Sequence, residues 1–350
     1  MKILILGGTV FLGRHIAESA LVRGHELTLF NRGTREVSFG DAESRVERLV
    51  GDRNKDLSVL DGRRWDAVID TCGFTPSAAR ASAERLASSV DHYTFISSES
   101  VYAPVSEPGY DESAPVATID PVTLEAIETR VRAEGVHQAM LGEAYGALKA
   151  LCEEAVEAAM PGRALHVRAG LIVGPFDRSD RFTYWVRRIS RGGDVLAPAP
   201  RSQPVQLVDV RDLADWIVRM AETRRAGVFN AVGPALRTSF GDMLEESAKT
   251  LGAPARFVWV AESFLLEQKV APWKGLPLWL PQEDTETQNL LTSDARRAIE
   301  AGLSFRPLSD TVRAIRAWDL ERGEPPLQAG LTPEREREVL EAWAARNSSS

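Results

Sequence analysis

Cysteines, histidines and long apolar runs are all scarce in this sequence. It contains two cysteines and five histidines among 350 residues. Cys72 and Cys152 lie far apart and outside any metal-ligand spacing, which favours reduced thiols in a cytosolic protein. The histidines are scattered along the chain and show no metal-ligand spacing either, so we expect no metal site.

No apolar run approaches the ~18 residues that a membrane span needs, and the first residues carry no signal-peptide pattern. We therefore expect a cytoplasmic protein without a membrane partner. The net charge of −8 and the pI near 5.4 argue against nucleic acid as the main partner. A composition of 44% hydrophobic and 26% charged residues is typical of a globular protein with a sizeable core.

The N-terminal stretch MKILILGGTVFLGR (residues 1–14) has the pattern of a strand, a glycine turn and a helix start. The apolar run Ile3–Leu6 predicts a strand buried on both faces, which breaks at Gly7 and Gly8. A helical pattern then runs from about residue 11 to residue 23. This arrangement points backbone N–H groups and a helix dipole at a pyrophosphate and predicts a dinucleotide site. Val10 stands where the full motif has a glycine, so a tight turn without a ligand is the alternative.

Strands and helices alternate through the first half of the chain. Further strands are predicted at about residues 27–30, 45–50, 65–70 and 92–96, with a helix at about 77–88. The alternation predicts an α/β fold, a Rossmann-type doubly wound parallel sheet with a smaller C-terminal substrate domain. We expect residues 1–175, with a return segment at about 204–235, to form the dinucleotide-binding domain. Residues 176–203 and 236–350 would form the substrate-binding region and a C-terminal helix.

The end of the second strand bears on the choice of cofactor. An acidic residue there would bind the ribose 2′-hydroxyl of NAD and repel a 2′-phosphate. This chain has Asn31 and Arg32 instead, with Arg14 and Arg35 nearby. Guanidinium groups suit a phosphate, so we expect NADP to be preferred, with NAD as the alternative. Solvated surface arginines are the other interpretation.

A second group of residues predicts alcohol–ketone chemistry. Tyr145 and Lys149 are four apart in a strong helical pattern and share one face. A phenol, with an ordinary pKa of about 10, is a poor base at neutral pH, but a nearby ammonium favours the phenolate. Such a phenol can exchange a proton with an alcohol or ketone during hydride transfer. Ser98, at the end of the fifth strand, is placed to hydrogen-bond the same substrate oxygen.

Several motifs in series resemble the extended short-chain dehydrogenase/reductases, the group that includes NAD-dependent epimerases and dehydratases. They cover about the first two-thirds of the chain. The variant glycine turn with Phe11 and the sequence FNRG after the second strand are similar to an atypical branch, which contains isoflavone-reductase-like and chloroplast stem-loop RNA-binding proteins. The motifs are GGTVFLG (7–13), GDR (51–53), FISSESVY (95–102), YGALK (145–149), RAGLIVGP (168–175), QLVDVRDLADWI (206–217) and GVFNAVG (227–233).

By this resemblance Tyr145 is the acid/base, Lys149 its activator and a ribose ligand, and Ser98 the substrate hydrogen-bonding group. Asp52 and Arg53 would lie at the adenine. The full set of cofactor-binding residues that we expect is Gly7, Thr9, Val10, Phe11, Leu12, Gly13, Asn31, Arg32, Asp52, Arg53, Thr71, Cys72, Gly73, Ser97, Tyr145, Lys149, Gly170 and Leu171.

The substrate side departs from the family pattern. Epimerases and dehydratases of nucleotide sugars usually have Asn in place of Gly170 and a basic residue in place of Val205, which weakens a nucleotide-sugar assignment. Glu99 stands where dehydratases carry an acid, although a solvated or Arg-paired Glu is the alternative. The insertion at 103–144, helical at about 119–135, predicts a lid or wall over the cleft. Further candidate substrate contacts are Phe176, Arg181, Tyr184 and Trp273. A packed helix start is the alternative for the first three, and packing within the small domain is the alternative for Trp273.

The sequence therefore predicts an NADP-preferring oxidoreductase that interconverts a secondary alcohol and a ketone on a polar small molecule. An NAD-dependent epimerase or dehydratase acting on a sugar or nucleotide-sugar is the alternative within enzymes. A non-catalytic NAD(P)- or RNA-binding protein is the alternative outside them, although the intact Ser98, Tyr145 and Lys149 argue against it. A second copy of the chain, in a homodimer, is a candidate partner.

Overall fold

The computed structural model describes residues 1–135 and 141–348, and the chain forms two units. The first unit comprises Met1–Ile172, Val210–Gly233 and Ser293–Ser304, and the second comprises Val173–Asp209, Pro234–Thr292 and Phe305–Ser350. The sequence-based division put the first boundary at residue 175 and the start of the return segment at about 204. It also assigned 293–304 to the substrate side, whereas the structure places this stretch in the first unit.

Strands and helices are labelled in chain order. The strands are β1 (Lys2–Leu6), β2 (Glu26–Asn31), β3 (Val46–Val50), β4 (Trp65–Asp70), β5 (Val90–Ser98), β6 (Ala164–Ala169), β7 (Ile172–Val173), β8 (Gly193–Pro198), β9 (Pro204–Val205), β10 (Val208–Asp209), β11 (Gly227–Ala231), β12 (Thr238–Ser239) and β13 (Ala255–Val260). The helices are α1 (Phe11–Val22), α2 (Pro76–Leu86), α3 (Pro121–Glu134), α4 (Tyr145–Ala159), α5 (Arg181–Ser190), α6 (Val210–Glu222), α7 (Phe240–Leu251), α8 (Glu262–Glu267), α9 (Arg296–Glu300), α10 (Leu308–Glu321) and α11 (Pro333–Ser348).

A seven-stranded parallel sheet organises the first unit. The strand order is β11-β6-β5-β4-β1-β2-β3, with β1 at the point where the order reverses. In sheets of this kind ligands bind beyond the carboxyl ends of the strands, near that point. The predicted α/β fold with a doubly wound parallel sheet is confirmed.

Helices cover both faces of this sheet. Helix α1 packs against α6, and α2 packs against α4. Leu4 and Leu6 of β1 belong to the same buried cluster as the inner sides of α2 and α4. Because side chains alternate along a strand, Ile3 and Ile5, both fully buried, face the opposite helix pair. A strand covered on both faces is continuously apolar, which explains the run at residues 3–6.

The second unit is built around three helices and a parallel strand pair. Helices α5, α7 and α10 pack on one another, and β8 pairs with β13. Arg187 on α5 donates to both carboxylate oxygens of Asp319 on α10, at 2.7 and 2.6 Å, and both side chains are buried. A bidentate pair of this kind holds the two helices in a defined register.

The C-terminal helix α11 belongs to the second unit. The backbone N–H of Arg335 donates to Thr332 Oγ1 at 3.2 Å, so Thr332 caps the helix and Pro333 lies in its first turn. Glu336 accepts from Arg188 Nε and, at 3.0 Å, from the backbone N–H of Leu196. The helix is therefore anchored to its own chain by a buried carboxylate. No helix of the described residues is long and apolar enough to cross a membrane.

Candidate functional site

The glycine turn after β1 depends on backbone conformations and close approaches that favour glycine. Gly7 and Gly8 have φ values of 112° and 85°. A Cβ on Gly7 would lie 2.3 Å from Thr71 Oγ1 at the end of β4, and a Cβ on Gly13 would lie 2.9 Å from the backbone nitrogen of Gly8. The three glycines therefore let the turn, the start of α1 and the end of β4 come together.

The first turn of α1 presents backbone donors. Val10 precedes the helix in an extended conformation, and no side-chain cap is formed within the described residues. The first turn also contains no acidic residue. Uncapped N–H groups and the positive end of the helix dipole suit a diphosphate, so the turn fits the group that the sequence predicts. Val10, which stands where the full motif has a glycine, is 41% exposed, so its side chain points towards solvent.

Asn31 ties the end of β2 to the glycine turn. Its Nδ2 donates to the carbonyl oxygen of Gly7 at 3.2 Å, and its Oδ1 accepts from the backbone N–H of Gly33 at 2.9 Å. Arg32 and Arg35 are exposed, and neither forms an ion pair with a described residue. Arg14, by contrast, pairs with Glu18 one helical turn later, at 2.7 Å. Two guanidinium groups thus follow β2 without a carboxylate partner in the part of the chain that the structure describes.

Arg53 is placed differently from what its predicted role at the adenine suggests. Its guanidinium is buried and donates to Asp70 Oδ1 at 2.5 Å and to Ser82 Oγ at 2.9 Å. Asp70 also accepts from the hydroxyl of Tyr93 at 2.9 Å. Burial alone would raise the pKa of Asp70, but the neighbouring Arg53 charge holds it below its ordinary value. The Arg53 side chain therefore joins β4 to α2 as an internal ion pair.

Lys149 is held by main-chain oxygens at the carboxyl edge of the sheet. Its Nζ donates to the carbonyl oxygens of Gly73 at 2.7 Å and of Ile96 at 2.6 Å. It also lies 4.1 Å from the centre of the Phe95 ring. The side chain is 3% exposed, and burial lowers the pKa of the ammonium. Of the two residues that anchor Lys149, Gly73 is itself a predicted cofactor-binding residue, and Ile96 directly precedes Ser97, which is another.

Helix α4 begins at Tyr145 and runs in direct contact with the turn that follows β5. A Cβ on Gly146 would lie 1.8 Å from the carbonyl oxygen of Ser100. Ser98 Oγ accepts from the backbone N–H of Ser100 at 3.1 Å, which orients it at the start of that turn. Ser98, Tyr145 and Lys149 thus belong to two elements that touch at this edge. Their roles in catalysis remain predictions.

Part of the predicted insertion forms a helical wall next to Tyr145. Helix α3 contributes Val131 to an apolar cluster that includes Leu148, Phe74 and Tyr145. Glu128 on α3 accepts from the backbone N–H of Ser77 in the first turn of α2, at 3.0 Å. The wall is therefore fixed both by packing and by a carboxylate at a helix N-terminus. Residues 136–140 of the insertion lie outside the described residues.

Glu99 has a buried carboxyl group immediately after Ser98. Its Oε1 accepts from Ser293 Oγ and, at 3.5 Å, from the hydroxyl of Tyr110. A Cβ on Gly170 would lie 2.6 Å from Glu99 Oε2. Burial raises the pKa of Glu99 to about 7. The alternative of a solvated or Arg-paired Glu99 is wrong, because the residue is 4% exposed and its partners are hydroxyl groups.

The candidate substrate residues of the second unit fall into two kinds. The Arg181 guanidinium lies 5.3 Å from the centre of the Trp273 ring, and Phe176 packs edge-on against Trp318 at 5.8 Å. Tyr184 is only 3% exposed, and a Cβ on Gly330 would lie 1.9 Å from its ring. Tyr184 is therefore a core residue, and the packed helix start describes it better than a substrate contact does. This corrects the sequence-based assignment.

Tyr110 and Ser293 were missed by sequence reasoning. Tyr110 lies in the insertion, and Ser293 comes 194 positions after Glu99. The backbone N–H of Asp294 donates to the carbonyl oxygen of Tyr110 at 2.7 Å, which joins these two segments. No local pattern marks either residue, since each acts through a partner that is remote in the sequence. Within the described ranges, no three His, Cys, Asp or Glu residues are grouped as a metal site.

Comparison with known proteins agrees with the fold and with the family resemblance. Residues 132–232 match the NAD dependent epimerase/dehydratase family. The chloroplast stem-loop binding protein of 41 kDa b from Arabidopsis thaliana is 26% identical over 275 residues, which are 72% of this chain and 64% of that protein. The chain thus spans a little under two-thirds of this relative.

Two further proteins extend the comparison. Epimerase family protein SDR39U1 from Bos taurus is 25% identical over 272 residues, covering 73% of this chain and 82% of the relative, and fits the atypical branch. The Bordetella bronchiseptica enzyme WbmH, solved in complex with NAD+, superposes with a TM-score of 0.66 at 16% identity. That superposition covers 92% of this chain and 99% of WbmH, and at this identity it shows the fold alone.

Proposed function

We propose that this chain, an extended short-chain dehydrogenase/reductase, interconverts a secondary alcohol and a ketone on a polar small molecule with NAD(P) as the hydride carrier. The observation that carries the proposal is the seating of Lys149. Its buried ammonium is fixed on the carbonyl oxygens of Gly73 and Ile96, one helical turn from Tyr145. A cation in this position favours the phenolate of a neighbouring tyrosine.

The protein groups divide the chemistry between them. Ser98 orients the substrate oxygen by a hydrogen bond, and Tyr145 takes the hydroxyl proton as the alcohol is oxidised. A nicotinamide, when bound, would accept the hydride that leaves the carbinol carbon. In the reverse direction Tyr145 returns its proton to the carbonyl oxygen. Lys149 keeps its positive charge throughout and stabilises the phenolate form.

The residues at the glycine turn support the binding of a dinucleotide. The close approaches at Gly7 and Gly13 and the uncapped first turn of α1 suit a diphosphate. We further propose that NADP is preferred over NAD. Arg32 and Arg35 support this preference because both are exposed after β2 and lack a carboxylate partner among the described residues.

A direct experiment is the absorbance of the purified protein at 340 nm during incubation with NADPH and a panel of small hydroxyketones. We expect the absorbance to fall with at least one hydroxyketone of the panel, because the protein oxidises NADPH as it reduces that ketone. If the protein binds NADPH but no ketone in a broad panel is reduced, net oxidoreduction is excluded as its activity.

Epimerisation is the second candidate. The family description of residues 132–232 and the name of the bovine relative favour it. The same Ser98, Tyr145 and Lys149 would then move the proton at one carbinol, while a retained dinucleotide would take up the hydride and return it to the transient ketone. An epimerase retains its dinucleotide through purification and produces no net change at 340 nm. Mass spectrometry of the purified protein distinguishes the two candidates.

The Arabidopsis relative is named as a stem-loop binding protein, but such a role is less well supported for this chain. The sequence carries 50 acidic and 42 basic residues, so it is acidic overall. Polyanion binding draws on clustered basic residues. An electrophoretic mobility assay with a structured RNA tests this alternative, and retention at physiological salt would support it.

A further inference from the structure

Lys149 carries a buried charge that has no carboxylate partner among the residues that the structure describes. Its Nζ donates to two main-chain carbonyl oxygens, those of Gly73 and Ile96. No carboxylate of residues 1–135 or 141–348 forms an ion pair with it. Buried charges in proteins are ordinarily paired. The groups around Lys149 therefore have to explain why its ammonium lies on neutral oxygens.

Two buried carboxylates lie near Lys149, and an arginine already pairs with each of them. Glu153, one turn further along α4, accepts from Arg168 Nε and Nη2 at 3.1 and 2.8 Å. Asp70, at the end of β4, accepts from Arg53 Nη1 at 2.5 Å. Burial lowers the pKa of the Lys149 ammonium, and the negative charges of both carboxylates oppose this effect. They do so without a direct hydrogen bond, because the arginines hold them.

The other titratable groups that face Lys149 offer it no negative charge at pH 7. Burial raises the pKa of the Cys152 thiol to about 12 and also raises the pKa of Cys72 above its ordinary value. Both thiols are therefore protonated at neutral pH. The Arg53 guanidinium carries a like charge and repels the ammonium.

Tyr93 occupies the Asp70 oxygen that lies beside Gly73. Its hydroxyl donates to Asp70 Oδ2 at 2.9 Å, and a Cβ on Gly73 would lie 3.1 Å from that oxygen. The carbonyl oxygen of the same glycine accepts from Lys149 at 2.7 Å. Arg53 occupies the other oxygen, Oδ1. Tyr93 thus satisfies the carboxylate oxygen towards which the ammonium would have to move to form an ion pair.

The position of the ammonium matters for the phenol of Tyr145. An ion pair with Asp70 would draw Lys149 away from the two carbonyl oxygens and offset its charge with a negative one. On neutral oxygens the ammonium keeps its full positive charge, which favours the phenolate of a tyrosine one helical turn away. A residue that holds Asp70 can therefore affect Tyr145 without touching substrate or cofactor.

We propose that Tyr93 and Arg53 are positioning residues for the proposed reaction: together they occupy the Asp70 carboxylate and so keep the Lys149 ammonium on main-chain oxygens, where its charge stabilises the Tyr145 phenolate. The inference rests on the proposed function, because it takes Tyr145 as the proton-transfer group. It adds Tyr93, which the sequence-based site does not contain, and it gives Arg53 a role in place of the one at the adenine.

Tyr93→Phe removes the donor to Asp70 Oδ2 without changing the charge of the protein at neutral pH. We expect the unmatched oxygen to draw the ammonium away from Gly73. The pKa of Tyr145 should then rise by about one unit, with roughly tenfold less phenolate at pH 7. Absorbance at 295 nm, where a phenolate absorbs and a phenol does not, follows this titration from pH 6 upwards without any substrate. Subtracting the titration of the same protein carrying Tyr145→Phe isolates the signal of Tyr145.

Two further variants guard against a folding artefact. Arg53→Lys keeps the charge but replaces the guanidinium fork with a single nitrogen, so it should also raise the pKa of Tyr145, even if Tyr93→Phe does not fold. Thr28→Val removes another buried hydroxyl, which accepts from Trp65 Nε1 at 2.9 Å on β2, three strands from β5. This control should leave the pKa of Tyr145 unchanged. Urea unfolding compares its loss of stability with that of Tyr93→Phe.

The inference is overturned if Tyr145 titrates at the same pH in wild type and in each folded variant of Tyr93 and Arg53, or if Thr28→Val raises its pKa as much as they do. Failure of the proposed function has a different signature. In that case Tyr145 of the wild type would titrate at its ordinary pKa of about 10 or above. A lowered wild-type value that Tyr93→Phe and Arg53→Lys leave unchanged counts against the positioning role only.

Discussion

The carbonyl oxygen of Ser100 lies where a Cβ on Gly146 would need to be, at a separation of only 1.8 Å. Helix α4 and the turn after β5 therefore touch backbone to backbone at this point. Tyr145 precedes Gly146, and Ser98 precedes the turn. This contact therefore sets the distance between the backbone positions that carry the two proposed functional side chains.

Gly146→Ala should accordingly displace the start of α4 from the turn. We expect overpacking to lower the free energy of unfolding by about 1–3 kcal/mol. Turnover should fall by roughly 100-fold, since a displacement of about 1 Å is enough to misalign reacting groups. Urea unfolding and steady-state kinetics measure the two effects. Glu154→Ala, at an exposed position of the same helix, is the control; equal effects from both variants would show that the contact is unimportant.

Tyr145→Phe removes the proposed proton-transfer group and keeps the ring. Turnover should fall by roughly 10²- to 10⁴-fold, the usual contribution of a positioned acid or base. Binding of NADPH, followed by fluorescence, should stay within a few-fold of wild type, because the glycine turn is untouched. Turnover close to that of wild type would remove Tyr145 from the mechanism.

Arg32→Ala tests the cofactor preference. If the guanidinium binds a 2′-phosphate, the variant should bind NADPH roughly tenfold more weakly and NADH about as well as before. Arg80→Ala, which removes an exposed charge on α2, is the matched control. Equilibrium dialysis with both dinucleotides gives the ratio. A wild-type preference for NADH would contradict the assignment outright.

The Arg53–Asp70 pair should behave as a buried ion pair, unlike the exposed Arg85–Asp61 pair of the same unit. Arg53→Ala leaves a carboxylate buried without its cation and should cost about 3–5 kcal/mol at pH 7. Arg85→Ala should cost about 0–1 kcal/mol. Chemical denaturation measures both values, and similar losses in the two variants would be inconsistent with this difference in burial.

The pH dependence of the same pair has a defined sign. Arg53 lowers the folded-state pKa of Asp70, so its stabilising effect is present above the unfolded pKa, about 3.9, and is lost as the pH falls through the lower folded value. Without Arg53, burial would instead raise the folded pKa of Asp70. The stability gap between Arg53→Ala and wild type should therefore be larger at pH 7 than at pH 4. A gap independent of pH would contradict the ionised pair.

Local sequence patterns were sufficient to predict those structural features that neighbouring residues form among themselves. The run Ile3–Leu6 predicts a doubly covered strand, and Thr332 with Pro333 predicts the start of α11, because periodicity and capping act over a few positions. Tyr184 shows the limit of this reasoning. Its aromatic and charged neighbourhood is compatible with a substrate site, yet Gly330, far away in the chain, packs against its ring and places it in the core.

The sequence by itself determined the parallel α/β sheet, the glycine turn and the spacing of Tyr145 and Lys149, since these follow from contiguous conformational preferences. Only the tertiary structure decided that Arg53 faces Asp70 and that Glu99 meets Ser293 and Tyr110. The physical reason is that the environment of a buried charge is made by segments that are remote in the chain. Packing alone brings them within hydrogen-bonding distance.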